Sequence, residues 1–576
     1  MTTPLAKSTR PRHLVARLLE QPGLVHLVQG LEAPVLTRLI HHIGLEDAGE
    51  IVALATTEQL KGIFDEDLWR SERPGKDETF DADRFALWLE VMLEAGEAFA
   101  AQKIAELDED LVTLALCKHV LVIDVDELAV QMSSAERSDD DDLVDKALEG
   151  CLHQEFEGFR VIATNHRSWD AIVQVLVELD RQHHALLRAL LERCCAISSE
   201  HIEESGGLYD VLTSEEMLES DVAAEREDRR EQEGFVAPSA AVSFLNLARV
   251  TPLEEILKAS SYDAVTRAHF RAAAVKPRSA AAGRRPGDGE STAPAEDVRR
   301  FLEVLREAEI LPPAAEPPLL TAGASRGGDL LFTAAVREVM ARDPDLYAKR
   351  LLELSYLVNV LLSGCSHDGR ALRPFEAVEA ALCTCNLGFE RLAGGRAGRK
   401  TPGPDELAAA MTEHDAAKMF MAGWHLLHHE VSLVAGGALR RTLARLAEVQ
   451  VDARAAREIE RVARGLEADC DAGKPWRSRG GLARIELELG AEATSMFRAL
   501  LDECPALPHG LAGGAPTREG QALRFFSTAA QIRALHASLE RPEVSGAKGP
   551  ARAARADAPE RPRRKRPRPG PGRRSR

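Results

Sequence analysis

The first 115 residues carry short runs of apolar positions with the spacing of an amphipathic helix. One apolar stripe, ended by Gly44, consists of Val35, Leu36, Leu39, Ile40 and Ile43. A similar stripe follows around Trp88. This spacing predicts several short helices. Because helices this short cannot bury an apolar face alone, we predict that they stack in a superhelical, solenoid-like arrangement, although no fixed-period repeat is present.

Helix starts are marked by capping patterns at two places. Thr56 and Gln59 have the spacing of a capping box, in which a side chain on each residue bonds to the backbone of the other. Thr251, Pro252 and Glu254 combine an N-cap residue, a proline suited to the first helical position and a carboxylate three residues after the cap. We therefore predict helices beginning after Thr56 and after Thr251.

Two segments interrupt the helical pattern with β-branched residues. They are His119–Val125 and Phe159–Thr164, and an acidic tract at Ser138–Asp142 lies between them. Short β-branched runs favour strands. We predict that the two segments pair as a small antiparallel ribbon, and that helix resumes near Trp169.

The remaining pattern predicts a mainly α protein with two helical bodies. Residues 275–297 lack apolar periodicity and have the composition of a linker. The predicted organisation is a stack of short helices at 1–117, a helical region with the two-stranded ribbon at 118–274, a linker with one short helix at 275–328, a C-terminal helical domain at 329–541 and a disordered basic tail at 542–576.

Charge is distributed unevenly over the 576 residues, which carry 73 Lys and Arg against 92 Asp and Glu. Residues 548–576 hold twelve basic residues against two acidic ones, a local charge of +10 that leaves about −29 on the rest of the chain. Such a tail can neutralise phosphates, so Arg561–Arg576 is a candidate for binding nucleic acid or an anionic surface. The alternatives are contact with the acidic body or no role.

Composition also indicates a compartment. We expect no transmembrane helix, since no run of about eighteen apolar residues exists. The N-terminus has basic residues but no continuous apolar stretch of a secretory signal. The nine Cys are scattered, as in proteins of a reducing compartment. These features predict a cytoplasmic protein.

The segment Asn165–Asp170 resembles the first motif of glycerolipid acyltransferases, in which a His takes a proton from a hydroxyl and an Asp orients the imidazole. Here three residues separate His166 from Asp170, where that family has four. The family's later Glu-Gly motif is missing, because Glu157-Gly158 precedes the His. The alternative is that Asn165 or Ser168 caps the helix starting near Trp169.

A second candidate is the pair His425 and His429, which share one face of a helix and so could bind a metal. Leu426 and Leu427 occupy the interval where zinc hydrolases carry a Glu, so a partly exposed helix face is the alternative. Cysteines are less informative: the Cys383/Cys385 pair suits buried helix positions, and Cys365 lies near His367. We assign no catalytic, cofactor-binding or metal residue and expect no cofactor.

Four apolar segments together resemble a family of uncharacterised bacterial proteins known only by a domain-of-unknown-function label. They are Leu27–Trp69, Gly234–Arg249, Leu352–Cys365 and Ala380–Leu392. The first segment is also similar to the cytosolic helical domain of bacterial magnesium transporters, which implies a superhelix of short helices. The resemblance to the uncharacterised family implies no activity.

The leading hypothesis from the sequence is a non-enzymatic interaction or scaffold protein whose helical surfaces bind another protein. One alternative is binding of nucleic acid or an anionic surface through the Arg-rich tail. The other is an enzyme that uses His166 and Asp170 or a metal held by His425 and His429.

Overall fold

The structure is a computed structural model that describes residues 11–125, 151–203, 214–259, 262–275, 295–308, 310–311, 330–394, 402–508, 511 and 523–540. The acidic tract at Ser138–Asp142, most of the predicted linker and the basic tail lie outside the described residues.

The described part of the chain is mainly helical, with a few short antiparallel strands, which confirms the predicted fold class. Short helices fill its N-terminal part, namely α1 Pro11–Leu19, α2 Leu24–Gln29, α3 Ala33–Ile43, α4 Gly49–Val52, α5 Thr57–Asp67, α6 Ala82–Glu94, α7 Glu97–Ala105 and α8 Glu109–Cys117. Longer helices follow, namely α9 Trp169–Gln182, α10 His184–Glu203, α11 Ser214–Gln232, α12 Pro238–Val250, α13 Leu253–Lys258, α14 Ala264–Val275 and α15 Ala295–Glu307.

The C-terminal half consists of α16 Leu331–Arg342, α17 Pro344–Gly364, α18 Pro374–Gly394, α19 Pro404–Glu413, α20 Ala416–Leu426, α21 Leu433–Val449, α22 Ala453–Asp471, α23 Glu486–Leu489, α24 Ala491–Leu500 and α25 Ala529–Glu540. A π-helical segment, Leu427–Ser432, joins α20 to α21 without a break. A 3₁₀ segment, Pro475–Ile485, precedes α23. None of the helices in the described ranges combines the length and apolar character that crossing a bilayer requires.

The predicted ribbon exists, but it has a third strand. Strand β3 (Val120–Asp124) pairs antiparallel with β5 (Phe159–Ala163), with Val122 opposite Val161. Strand β4 (His153–Phe156) pairs with the other edge of β5, giving the order β3-β5-β4. The prediction of two strands was therefore incomplete. Strand β4 lacks an apolar alternation, because only Phe156 is buried, and so the pattern did not reveal it.

Two further hairpins are too short to leave a pattern in the sequence. Strands β1 (Trp69–Arg70) and β2 (Thr79–Phe80) pair antiparallel, as do β6 (Ser366–His367) and β7 (Arg370–Ala371). Each strand has two residues, and a period of two cannot be recognised over such a length. The loop between β1 and β2 nevertheless reaches the cavity described below.

The two predicted helix starts have different outcomes. The capping box at α5 is confirmed, because Gln59 N donates to Thr56 Oγ1 at 3.2 Å and Thr56 N donates to Gln59 Oε1 at 2.9 Å. The predicted N-cap at Thr251 is wrong by one residue. Helix α13 begins at Leu253, and its cap position is Pro252, whose carbonyl accepts from Ile256 N at 3.1 Å.

The first hydrophobic core lies among helices α1–α11, helix α15 and the three-stranded sheet. Trp88 is fully buried there, and its ring lies edge-on to Phe64 with centroids 5.2 Å apart. The Trp88 indole N–H donates to Asp67 Oδ2 at 2.7 Å, and Arg84 Nε donates to the same oxygen at 2.7 Å. A buried carboxylate with two such donors stabilises the helix packing around it.

The second core is assembled around a close crossing of α18 and α20. An added Cβ on Gly388 would lie 1.8 Å from Met419 O, and one on Gly423 would lie 1.9 Å from Thr384 O. The two helix backbones therefore touch directly at these glycines. Phe420 and Trp424, which flank this crossing on α20, stack with ring centroids 5.6 Å apart.

The chain does not complete one core before it begins the other. Apolar side chains between Val236 and Ile256, on and around α12 and α13, are buried in the second core, for example Phe244 and Ala248. Further along the chain, Phe301, Leu305 and Ile310 on and after α15 are buried in the first core. Residues from 332 onwards again belong to the second core. The domain boundaries expected from the sequence stay a prediction.

Candidate functional site

The acyltransferase-like pair is not assembled. His166 and Asp170 are both exposed, and no hydrogen bond joins them among the contacts of the described residues. Helix α9 does begin at Trp169, but the Ser168 side chain makes no capping bond. Asn165 Oδ1 instead accepts from Arg167 N at 3.0 Å, which closes a local turn. This geometry offers no oriented base.

His425 and His429 share a helix face as expected, but their rings stack on each other, with centroids 4.0 Å apart and an angle of 15°. His429 Nε2 lies 3.0 Å from the carbonyl oxygen of Arg249, at the end of α12. Burial, followed by the neighbouring His429, lowers the pKa of His425. The pair thus packs against the C-terminal end of α12, and the described ranges contain no group of three or more potential metal ligands.

The cysteine candidates are buried thiols. Cys383 and Cys385 lie inside α18, and burial raises the pKa of both. Cys365 also has a raised pKa, caused first by its contact with Cys504 and then by burial. A raised pKa disfavours the thiolate that metal binding requires.

A cavity of about 390 Å³ lies where the two halves of the chain meet. Its walls come from α12, the end of α17, the π-helical segment, the 3₁₀ segment and the loop between β1 and β2. We call it the basic cavity. Its size is within the range of small-molecule sites.

The β1–β2 loop is fixed to the second core at one glycine. Gly75 N donates to Ser363 O at 2.8 Å. Gly75 has φ +80°, and an added Cβ would lie 2.9 Å from Val242 Cγ2. Glycine is the residue that fits this conformation and this spacing. The contact brings Arg73 from the first half of the chain to the edge of the basic cavity.

The inner wall of the basic cavity is aromatic. Trp424 and His428, which are 3% and 2% exposed, lie edge-on with centroids 4.8 Å apart. Trp476, from the 3₁₀ segment, lies 5.5 Å from the His428 ring. Single-turn π segments occur often at functional sites. Here the π segment holds His428 in the second core, between two tryptophans.

His428 is a buried polar side chain. Neither of its ring nitrogens has a hydrogen-bond partner among the described residues. Burial, followed by the charge of Arg249 and then by His429 and His425, lowers the pKa of His428 to about 3. The imidazole is therefore neutral at pH 7, with one donor and one acceptor to offer. Buried polar atoms left unpaired are costly and call for an explanation.

Four cations surround this wall without a carboxylate partner in the described ranges, namely Arg73, Arg249, Lys474 and Arg477. Arg249 is 9% exposed, its guanidinium carbon lies 4.7 Å from the Trp476 ring centroid, and Nη2 donates to Asn246 Oδ1 at 2.7 Å. Burial lowers the pKa of Arg249, and Arg477 lowers it further against the opposing effect of Glu503. Like charges that line one cavity favour an anion between them.

The two carboxylates of the cavity wall already have protein partners. Glu503 Oε2 accepts from Ser366 N at 3.0 Å and from Ser366 Oγ at 2.7 Å. Asp502 accepts from Asp368 N at 3.0 Å and lies 3.3 Å from Arg479 Nη2. Both close the β6–β7 hairpin. Asp502 is paired with Arg479, whereas Glu503 has neutral donors and offsets part of the positive charge of the four cations, which leaves the cavity basic.

Sequence reasoning missed this site because its unpaired cations and aromatic side chains come from four distant segments, near residues 73, 249, 428 and 476. The spacing of His425 and His429 suggests a shared helix face, but the histidine of that segment that lines the cavity is His428. A tryptophan flanked by two basic residues, at 474–477, was the local signal.

The fold and site define a mainly helical protein with a basic, aromatic-lined cavity. Residues 4–206 match the model of a family of unknown function, DUF6178. The resemblance to an uncharacterised family is confirmed over that range, whereas the similarity to the magnesium-transporter domain is not shown. No curated protein and no solved structure matches the chain.

Proposed function

We propose that this protein is a binding protein that holds an anionic small molecule in the basic cavity and performs no chemistry on it. The observation that carries this proposal is a set of four cations around a buried imidazole; within the described residues, the cations have no carboxylate partner and the imidazole has no hydrogen-bond partner. An anion would offset the mutual repulsion of Arg249 and Arg477 and would accept hydrogen bonds from guanidinium and ammonium groups.

The basic cavity lies in a chain that is otherwise acidic. Outside the tail, the chain carries about −29 charges, so a cavity with five basic and two acidic side chains stands out against its surroundings. A charged recess with low-dielectric walls focuses the field and raises the local concentration of its counter-ion.

A binding role fits the site better than catalysis. A general base needs a pKa near the working pH and a group that orients it. His428 has a pKa of about 3 and no hydrogen-bond partner in the described part of the chain. It is suited to hydrogen bonding with a ligand.

Binding of a protein partner by the helical surfaces and binding of phosphates by Arg561–Arg576 are compatible with a ligand-binding cavity. A cytoplasmic location would supply such a ligand.

Calorimetric titration of the full chain with pyrophosphate and, separately, with citrate tests the proposal at low salt. We expect saturable binding of at least one anion by the wild-type protein. The double variant Lys474→Gln/Arg477→Gln should bind that anion at least tenfold more weakly, because two charge-assisted contacts are lost.

The matched control is Arg457→Gln/Arg464→Gln, which removes two charges from exposed positions on α22. It should bind within about twofold of the wild-type protein. Absence of saturable binding by either anion, or an equal loss in both double variants, would contradict the proposal. Equal affinities for pyrophosphate and citrate would indicate that the site recognises charge alone. A higher affinity for one of them would show whether the site prefers phosphate or carboxylate groups.

A further inference from the structure

We infer that the ligand of the basic cavity is a nucleotide, with its base against the aromatic inner wall and its phosphates among the cations at the mouth. This inference rests on the proposed function, since it names the class of anion that the same cavity holds. It is carried by the order in which aromatic and cationic groups follow one another from the interior to the surface.

The residues that line the cavity become more exposed from its inner end to its mouth. Trp424 and His428 are almost completely buried, Trp476 and Lys474 are half-buried, and Arg73 and Arg477 are exposed. A ligand that fills this space therefore needs a planar, weakly solvated end and a strongly anionic end. Inorganic anions and simple carboxylates have only the second.

The inner end also requires hydrogen bonding. Both ring nitrogens of His428 lack a hydrogen-bond partner in the described residues. A purely hydrocarbon ring would leave these groups unpaired, which is costly in a buried site. The edge of a nucleobase carries both donors and acceptors, so it can pair with a neutral imidazole.

The half-buried Trp476 ring lies beside these polar atoms, with its centroid 5.5 Å from that of the His428 ring. The Trp476 ring has the Arg249 guanidinium 4.7 Å from its centroid, a pairing of cation and aromatic face that also serves nucleobases. Base stacking on an aromatic side chain contributes about 1–3 kcal/mol, or roughly 5- to 150-fold in affinity. Removing the Trp476 ring should cost a factor in this range.

The phosphate end differs from a phosphate-binding loop. Glycine-rich loops bind phosphates with backbone N–H groups at a helix start, whereas this cavity presents the side chains of Arg73, Lys474 and Arg477. Side chains from separate segments can hold more than one phosphate, so we expect nucleoside diphosphates to bind more tightly than monophosphates.

The experiment compares pyrophosphate with adenosine, guanosine, cytidine and uridine diphosphates on the full chain, by calorimetry and by quenching of tryptophan fluorescence. We expect at least one nucleoside diphosphate to bind tenfold or more tightly than pyrophosphate. Trp476→Leu should reduce this advantage to less than threefold while pyrophosphate binding stays within twofold. Phe375→Leu, which removes an exposed aromatic side chain on α18, is the matched control and should change neither affinity.

His428→Gln provides a second readout that does not depend on stacking. It should change the relative affinities of the four nucleotides, because it alters the hydrogen bonds offered to the base edge, and circular dichroism verifies that it folds. Equal binding of pyrophosphate and every nucleotide would overturn the nucleotide inference and leave the proposed function standing. Absence of binding by all of these anions, together with citrate, would remove both.

Discussion

The crossing of α18 and α20 predicts a large loss of stability from a single methyl group. In Gly388→Ala, the new Cβ would lie 1.8 Å from Met419 O, 2.7 Å from Met419 C and 3.0 Å from Gly423 N. Ordinary van der Waals contact begins at 3.4 Å. The atoms that obstruct the methyl group are backbone, so they cannot rotate away as a side chain would. The two helices must separate by more than 1 Å.

The magnitude follows from that separation. Overpacking a core costs about 1–3 kcal/mol and sometimes more. A gap of 0.5–1 Å already removes a quarter to a half of each dispersion contact. We therefore expect Gly388→Ala to lower the free energy of unfolding of the second core by about 3 kcal/mol or more. With a urea dependence of about 3 kcal/mol per M, the midpoint shifts down by about 1 M.

The assay is urea unfolding followed by tryptophan fluorescence and by circular dichroism at 222 nm. Gly437→Ala is the matched control, because Gly437 lies inside α21 and an added Cβ would meet only Arg441 Nη1, at 3.7 Å. That change should stabilise the protein by about 0.4–1 kcal/mol. If Gly388→Ala unfolded at the wild-type midpoint or above it, the close backbone contact deduced for this crossing would be refuted.

Three further outcomes are expected. Burial raises the pKa of Glu376, but Arg370 and Arg373 outweigh it and lower that pKa to about 2. Because the folded pKa is below the unfolded one, the ionised carboxylate stabilises the fold above the unfolded pKa, and this stabilisation is lost as the pH falls. The difference in urea midpoint between the wild type and Glu376→Gln should therefore shrink as the pH falls from 5 towards 2. His428 has a folded pKa of about 3, so near pH 6.5 this side chain takes up a proton in the unfolded chain but not in the folded one. Through this group the free energy of unfolding of the wild type should fall by about 2 kcal/mol between pH 7.5 and 5. Urea unfolding of His428→Gln over the same pH range should show a correspondingly smaller loss. Thr56→Ala removes one half of the capping box at α5 and should lower the stability of the first core by about 1 kcal/mol in thermal unfolding, with no change if the box contributes nothing.

Features that depend on neighbours in the sequence were predictable. The apolar stripe from Val35 to Ile43 became α3, whose buried side chains include Leu36, Leu39 and Ile40. The capping box at Thr56 formed as expected, since its hydrogen bonds join residues three apart. The pairing of β3 with β5 was also predictable, because both strands carry the β-branched residues that fit a half-buried sheet.

Features that depend on distant contacts were not predictable. The basic cavity depends on the contact of Gly75 with Ser363 and on the contact of Arg249 with Trp476. No local spacing in the sequence connects these positions. The π segment has no marker in the sequence either, yet it determines that His428 lines the cavity. The prediction at Thr251 was wrong because a proline that suits the first helical position here occupies the cap.

The passage of the chain between its two cores has a consequence for synthesis on the ribosome. Phe244 on α12 is buried against Tyr356 and Phe420, with ring centroids 5.7 and 5.8 Å away. Those partners are made 112 and 176 residues later, and at 5–20 residues per second Phe420 follows Phe244 by roughly 10–35 s. The apolar face of α12 has neither of these partners until Tyr356 is made and only one of them until Phe420 is made, so it is a natural substrate for chaperones. Nascent chains stalled near residue 400 should be cut by protease at α12, whereas the complete folded chain should resist cleavage there.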